Sequence, residues 1–382
     1  MTGQSNTSSL SSADQQRLDQ FLRLARQNTT TYLGYPAAKD LDFSGLNACL
    51  DLPLNNIGDP FATSTWKVDS REFEREVLEF FAELLRAPVD DWWGYVTNGG
   101  TEGNLYGLYL ARELYPKGVV YFSQDTHYSV SKNVHFLNMR NIMIRSQKNG
   151  EIDYDDLYET LKIHRDVPPI IFANIGTTMT EARDDICRIK QMMEELAIGN
   201  YYIHSDAAMT GAIAPFLQQP PAFDFADGAD SISISGHKFL GSPVPCGIVL
   251  ARKRHVNRIA RSIAYIGNLD TTVTGSRNGL TPLILWQLIR SLGKQGLQQR
   301  VAQALALTAH AEARMRAAGI NVWRNREAIT LVFPSPSQSL IDKWQLASTQ
   351  GISHLILVPG VTQDAVDNFI DDLLTDKNGE QG

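Results

Sequence analysis

The sequence is poor in cysteine and has no long apolar segment. Its 382 residues include 3 cysteines, which lie far apart and form no Cys-x-x-Cys pair: Cys49, Cys187 and Cys246. Cysteines this few and scattered exclude a disulfide framework and are typical of a reducing compartment. No apolar run approaches the roughly 20 residues that cross a bilayer, and residues 1–15 lack the pattern of a signal peptide. We therefore expect no membrane span and a cytoplasmic location.

An excess of basic residues is also lacking. Lys and Arg number 35 against 42 Asp and Glu, which gives a formal net charge of −7. Because an extended nucleic-acid footprint needs a basic surface, we expect no nucleic-acid partner. The 8 histidines are dispersed without the paired spacing of zinc ligands, so we expect no metal.

Apolar runs and helical patterns alternate through the first two thirds of the chain. The apolar runs lie at residues 93–97, 119–122, 170–178, 201–208 and 231–235. Strands that alternate with helices predict an α/β fold with a mostly parallel sheet covered on both faces. Beyond Gly279, a long helical stretch, two short strand-like runs and a final helix predict a small α+β domain.

One lysine follows a strand that the pattern predicts to be buried. Ile232 and Ile234 alternate with serines, Gly236 breaks the alternation, and Lys238 follows. Burial lowers the pKa of a lysine, so the neutral amine that forms an imine becomes accessible near neutral pH. A surface lysine after an edge strand is the alternative for Lys238 taken alone.

Asp206 ends a second apolar run. If both runs are strands of one parallel sheet, Asp206 and Lys238 emerge at the carboxyl ends, where such sheets bind ligands. An acid placed there can hydrogen-bond a protonated pyridine nitrogen. Taken alone, Asp206 is equally suited to a helix cap or a turn. Together the two residues predict a site for a cofactor with a pyridine ring and an imine-forming aldehyde.

Three further segments offer groups for the rest of such a cofactor. Residues 98–104 lead from a predicted strand into a helical run at residues 105–114. Their glycines and helix-start amides, with the hydroxyl of Thr101, suit a phosphate, although a plain turn is the alternative. His127 could stack on a flat ring, bind a carboxylate or be an ordinary polar residue. A last group of side chains could reach a ring hydroxyl: Asn174, Thr177 and Thr178.

Seven motifs occur in an order that resembles the pyridoxal-phosphate-dependent group II amino-acid decarboxylases, most of all the bacterial histidine decarboxylases and the plant serine decarboxylases. They are NNIGD at 55–59, GYVTNGGTEGN at 94–104, DTHYSV at 125–130, NIGTT at 174–178, HSDAA at 204–208, SGHK at 235–238 and TGSRNG at 274–279. The resemblance implies the aspartate-aminotransferase-like fold (fold type I). It also implies an N-terminal tail and helical arm (1–55), a large cofactor-binding domain (56–280) and a small C-terminal domain (281–382).

The resemblance further implies roles for particular residues, with pyridoxal 5'-phosphate as the cofactor and an amino acid as the substrate. Lys238 would carry the imine, Asp206 would pair with the pyridine nitrogen, and His127 would stack on the ring. The other cofactor contacts implied are Gly100, Thr101, Asn174, Thr177, Ala208, Ser235 and His237. Relatives are homodimers, and Thr274 and Ser276 would reach the partner's cofactor. Tyr265 would protonate the product, or is simply a packed aromatic.

The substrate is less strongly indicated than the reaction. Residues 58–61 read GDPF and position 328 is Ala328, where bacterial histidine decarboxylases usually carry GDW and a serine. The GDPF segment and the later VPGVT at 358–362 look more like the plant serine decarboxylases. We expect decarboxylation of L-histidine to histamine, because the central motifs and chain length match the bacterial group. L-Serine, converted to ethanolamine, or another small amino acid is the alternative, followed by an aminotransferase and then by a non-enzymatic scaffold.

Overall fold

A central seven-stranded sheet organises the protein in the computed structural model, which describes residues 10–259, 261–263 and 268–379. Its strands are β1 (Trp93–Thr97), β2 (Val119–Ser123), β3 (Arg140–Ile144), β4 (Pro169–Asn174), β5 (Tyr202–Asp206), β6 (Ser231–Ser235) and β7 (Gly247–Ala251). They lie in the order β1-β7-β6-β5-β4-β2-β3. Only β7 runs antiparallel to its neighbours, whereas β2 to β6 pair in parallel. The predicted mostly parallel sheet and α/β fold class are therefore confirmed.

Helices cover both faces of this sheet and continue into the C-terminal part. They are α1 (Ser12–Asn28), α2 (Arg71–Leu84), α3 (Gly100–Leu114), α4 (Ser129–Phe136), α5 (Tyr154–Ile163), α6 (Ile186–Glu195), α7 (Lys253–Val256), α8 (Leu280–Ala317), α9 (Gln338–Trp344) and α10 (Gln363–Gly379). Short 3-10 turns lie at Ser44–Asp51 and Ala214–Phe216. Every residue of β5 and β6 is buried. Both strands nevertheless carry polar residues inside the fold, since β6 alternates serine with isoleucine and β5 contains His204, Ser205 and Asp206.

A smaller antiparallel sheet forms the C-terminal part. It contains β10 (Thr330–Pro334), β11 (Ala347–Thr349) and β12 (Ile352–Ile356), with β12 in the middle. Buried side chains of this sheet pack with α10 in a core of their own, which includes Leu331, Phe333 and Phe369. A separate two-stranded ribbon joins β8 (Arg261–Ile263) to β9 (Asn268–Asp270). The domain boundaries at residues 55 and 280 stay a prediction.

Three local features differ from the sequence pattern. Helix α3 begins at Gly100, so five of the seven residues of the glycine-rich segment 98–104 are already helical. Ser70 precedes α2 but does not cap it, because its hydroxyl donates to the Gly279 carbonyl at 2.6 Å. The helix α8 is interrupted at Gly293, which has a φ of 58°.

In the described ranges, no helix combines the length and apolar character that a membrane span requires.

Candidate active site

The carboxyl ends of β5 and β6 meet at the edge of the main sheet, and Asp206 and Lys238 lie there together. The strands pair in parallel with Asp206 opposite Ser233. Strand β6 continues to Ser235, and Gly236 then turns the chain toward Lys238. A Cβ atom on Gly236 would lie 2.5 Å from the Cys246 sulfur, so only glycine fits this turn. A cavity of about 520 Å³ opens at the same edge.

Most of the predicted site residues line this one cavity. Those on its wall are Gly100, Thr101, His127, Asn174, Thr177, Asp206, Ala208, Ser235, His237 and Lys238. Thr178, which the sequence also suggested, lines it too. The individual roles stay predictions, but their assembly from five separate segments at one edge is what a cofactor site requires.

Two described residues of the predicted set, Thr274 and Ser276, are not on this wall. Tyr265 falls outside the described residues. Ser276 is exposed and its hydroxyl accepts a hydrogen bond from Asn55 Nδ2 at 3.1 Å. The hydroxyl of Thr274 is buried and has no hydrogen-bond partner within the part of the chain that the structure describes.

Lys238 and Asp206 change each other's charge state. Burial lowers the pKa of Lys238, and the nearby Asp206 carboxylate opposes that shift. Burial raises the pKa of Asp206, while Lys238 and two N–H donors oppose it. The donors are Asn104 Nδ2 at 2.9 Å and the Ala208 amide at 3.1 Å. The site therefore combines a readily deprotonated amine with a carboxylate held by hydrogen bonds.

The start of α3 forms a cradle for an anion. Gly99 precedes it without a side-chain cap, so the first amides of this helix have no intrahelical acceptor. A Cβ atom on Gly100 would lie 2.7 Å from the Ser235 hydroxyl and 3.0 Å from the Ala208 methyl. The space that glycine leaves, the free amides and the neighbouring hydroxyls fit the phosphate of pyridoxal phosphate.

His127 is held as a neutral ring beside the cavity. Burial lowers the pKa of its imidazole, and its Nδ1 lies 2.8 Å from the Ser129 hydroxyl. Its ring centre lies 4.4 Å from that of Tyr128. A neutral, oriented imidazole suits contact with a flat heteroaromatic ring, the role predicted for His127.

Asn174 and Thr177 are occupied by hydrogen bonds within the chain. Asn174 Nδ2 donates to the hydroxyls of Ser123 and Thr126, both at 3.0 Å. The Thr177 hydroxyl accepts from the Ala182 amide at 3.0 Å and lies 2.9 Å from the Thr180 hydroxyl. These bonds make both side chains rigid parts of the wall.

Asn104 is a site residue that the sequence reasoning did not single out. It lines the cavity and donates to Asp206. The sequence does contain an indication that Asn104 belongs to the site. Gly100 is a predicted site residue, and residues four apart share a helix face. The GDPF segment and Ala328, by contrast, are not on the cavity wall.

Comparison with known proteins agrees with this geometry. Residues 51–333 match the family model described as the pyridoxal-dependent decarboxylase conserved domain. The chain belongs to this family. It is therefore a pyridoxal-phosphate-dependent decarboxylase of the carboxy-lyase class, with an amino acid as substrate, and the predicted family, cofactor and reaction class are confirmed. The aminotransferase and scaffold alternatives are not supported.

Individual decarboxylases of the family are similar to this chain over nearly their full length. Histidine decarboxylase from Mesorhizobium japonicum is 51% identical over 94% of the chain and 97% of the relative. Histidine decarboxylase from Morganella morganii is 46% identical over 97% and 98%. The crystal structure of L-methionine decarboxylase from Streptomyces sp.590 has a TM-score of 0.87 and 25% identity, covering 97% of each chain.

Proposed function

We propose that the protein converts L-histidine to histamine and carbon dioxide. The observation that carries the chemistry is the placement of Lys238 and Asp206 in one cavity at the carboxyl ends of β5 and β6. The choice of histidine is supported by relatives named histidine decarboxylase at 51% and 46% identity over nearly the whole chain.

The side chains of the cavity divide the work of holding the cofactor. Gly100, Thr101, Ser235 and His237 would hold its phosphate, and Lys238 would bind its aldehyde carbon. Asp206 would hold the proton on the ring nitrogen. When bound, pyridoxal phosphate supplies a cationic ring that draws electrons from the α-carbon of the substrate. His127 and Ala208 would enclose the ring between them.

The overall reaction breaks the bond between the α-carbon and the carboxylate. Carbon dioxide leaves, and the α-carbon takes up one proton in its place. Burial favours the neutral form of Lys238, the form in which its nitrogen would bond the cofactor's aldehyde carbon and would leave that carbon when the substrate amine takes its place.

L-Serine is the second candidate substrate, because of the GDPF segment and Ala328. Phe61 of that segment contacts Trp92 at a ring separation of 5.5 Å, and Asp59 accepts a hydrogen bond from Trp93. Ala328 is fully buried at the start of the small sheet. Since none of these residues lines the cavity, they do not favour serine over histidine within one chain.

A panel of L-amino acids tests the proposed substrate. The purified protein, loaded with pyridoxal phosphate, is incubated with L-histidine, L-serine and L-methionine, and the amines are identified by mass. We expect histamine to form with the highest kcat/KM. The Lys238→Ala variant is the matched control and should form none. Ethanolamine as the dominant product would show that L-serine, and not L-histidine, is the preferred substrate. Keto-acid formation without carbon dioxide would contradict decarboxylation.

The protein is also proposed to act as a homodimer in the cytoplasm. Helix α1 has no buried residue and exposes Phe21 and Leu24, which a partner could cover. The three cysteines are all free, as in a reducing compartment. Sedimentation velocity and cell fractionation test these two statements separately.

A further inference from the structure

A continuous chain of buried polar side chains leads to Asp206 from deep within the fold. Tyr202 Oη lies 2.8 Å from Ser231 Oγ, which lies 2.7 Å from His204 Nδ1. His204 Nε2 lies 2.9 Å from Asn104 Oδ1, and Asn104 Nδ2 lies 2.9 Å from Asp206 Oδ2. Every member is at least nine-tenths buried. Each side chain therefore depends on its neighbours for hydrogen bonds.

Donor and acceptor rules allow one direction along this chain. An ionised Asp206 can only accept, so Asn104 must turn its Nδ2 toward it and its Oδ1 toward His204. Asn104 Oδ1 then requires a hydrogen on His204 Nε2. The His204 ring is neutral, because burial lowers its pKa to about 3, so its Nδ1 accepts from Ser231. Ser231 in turn accepts from Tyr202, whose pKa is raised well above the ordinary value by burial.

The helix that faces this chain leaves room for the imidazole. A Cβ atom on Gly107 would lie 2.2 Å from His204 Nδ1 and 2.8 Å from Ser231 Oγ. Glycine inside a helix is unfavourable, yet α3 carries it where the ring lies. The backbone of α3 is thus shaped around His204 in its hydrogen-bonded position, independently of the polar contacts themselves.

We propose that His204 is a positioning residue for the decarboxylase. Its Nε2–H holds the Asn104 amide with the N–H toward Asp206, and this keeps Asp206 ionised as the anchor for the cofactor's ring nitrogen. The inference rests on the proposed role of Asp206. His204 touches neither cofactor nor substrate; it acts through Asn104. Without its N–H, the Asn104 amide is free to turn its oxygen toward the carboxylate, which favours a protonated Asp206.

Variants along the chain test this role through cofactor binding. His204→Phe keeps a ring but removes the N–H, whereas His204→Gln keeps an N–H donor. We expect His204→Phe to weaken pyridoxal phosphate binding roughly tenfold and to alter the pH dependence of its visible absorbance, with substantial recovery in His204→Gln. Tyr202→Phe, at the far end, still leaves Ser231 able to donate to His204. It should change the affinity by less than about twofold.

The tautomer of His204 gives a second test that needs no cofactor. In wild-type protein labelled with ¹⁵N-histidine, one imidazole should remain neutral with its hydrogen on Nε2 from about pH 5 to pH 8. His204→Gln should remove that signal and so assign it. A hydrogen on Nδ1, or protonation within this range, overturns the proposed direction of the chain even if a variant fails to fold.

The outcomes separate this inference from the proposed function. Wild-type protein that releases carbon dioxide from L-histidine, together with unchanged cofactor affinity and spectrum in His204→Phe, overturns the positioning role alone. Wild-type protein that binds pyridoxal phosphate but decarboxylates no amino acid overturns the proposed function. The tautomer measurement then still decides whether the hydrogen-bond chain runs as inferred.

Discussion

Lys238 combines a backbone role with a chemical role, and the two are separable. Its backbone carbonyl accepts hydrogen bonds from the Ala38 and Gly241 amides. Any L-residue at this position could accept the same two bonds. Its side chain lies on the cavity wall near Asp206. Because the fold uses the carbonyl and the chemistry uses the amine, substitution of the side chain should affect only the second.

The Lys238→Ala variant should therefore fold and fail to turn over. We expect loss of carbon dioxide release from L-histidine, because among the residues that the structure describes no other lysine lines the cavity to bind the cofactor aldehyde. The urea midpoint should stay close to that of the wild type. Activity is measured as carbon dioxide release and folding by circular dichroism. Multiple turnovers by the variant would refute the role of Lys238.

His204 should make the protein less stable in acid. The folded state holds its pKa at about 3, below the ordinary value of about 6.5. The unfolded chain therefore takes up the proton first as the pH falls. The contribution of His204 to the free energy of unfolding therefore decreases below about pH 6.5. The decrease is up to about 1.4 kcal/mol per pH unit.

The comparison is with His204→Gln, which cannot titrate. At pH 8 the wild type should be the more stable protein, because its hydrogen-bond chain is intact. The difference in unfolding free energy should shrink between pH 7 and pH 5, as measured by urea denaturation at each pH. A difference that stays constant over this interval would show that His204 does not titrate on unfolding.

At the scale of elements, one buried ion pair ties α2 to two motif segments. Glu74 on α2 accepts hydrogen bonds from Arg277, from the Val96 amide at 2.8 Å and from Asn56 Nδ2 at 2.8 Å. The side chains of Glu74 and Arg277 are 0% and 2% exposed. This pair explains why the distant motifs at 55–59 and 274–279 occur together, since both pack around the same carboxylate.

Glu74→Gln should destabilise the fold strongly. Removal of one partner leaves the buried Arg277 charge uncompensated, which costs about 3–5 kcal/mol. Glu72→Gln, at an exposed position of the same helix, is the control and should change stability by no more than about 0.5 kcal/mol. Urea unfolding measures both. Equal midpoints for the two variants would contradict the importance of the pair.

Element boundaries were predictable where burial imposes the pattern. The bounds predicted for β1 and β6 match the structure, because both strands are buried throughout. The predicted start of α3 was too late, because glycines disfavour a helix locally. Close packing against β6 explains why glycine is present there: a Cβ atom on Gly103 would lie 2.2 Å from the Ser233 hydroxyl. Tertiary packing here overrides local propensity.

At the scale of the whole molecule, the proposed dimer predicts complementation between two impaired chains. If Thr274 serves the partner's site, Thr274→Ala and Lys238→Ala each damage both sites of their own homodimers. A mixed dimer contains one site with wild-type Lys238 and wild-type Thr274. Random exchange makes about half of the dimers mixed, each with one intact site of two, so mixing the two variants should raise activity to about a quarter of that of the wild type.

The control for this experiment is a mixture of Lys238→Ala with Asp206→Asn. Both substitutions lie on the wall of the same cavity within one chain. Neither site of the mixed dimer then contains both Lys238 and Asp206, so activity should not recover. Failure of the first mixture to gain activity, with subunit exchange verified, would remove Thr274 from the partner's site.

By itself the sequence determined five of the seven strands of the main sheet, the residues at the ends of β5 and β6, and the family chemistry, because strand patterns and motifs are both visible in short stretches of the chain. Lys238, Asp206 and the glycine-rich helix start were all accessible in this way. Only the tertiary structure decided that Asn104 and His204 join Asp206 in one hydrogen-bond chain and that Ala328 stands away from the cavity. Those relations depend on how α3 crosses β5 and β6, and such a crossing is set by packing between segments about 100 residues apart.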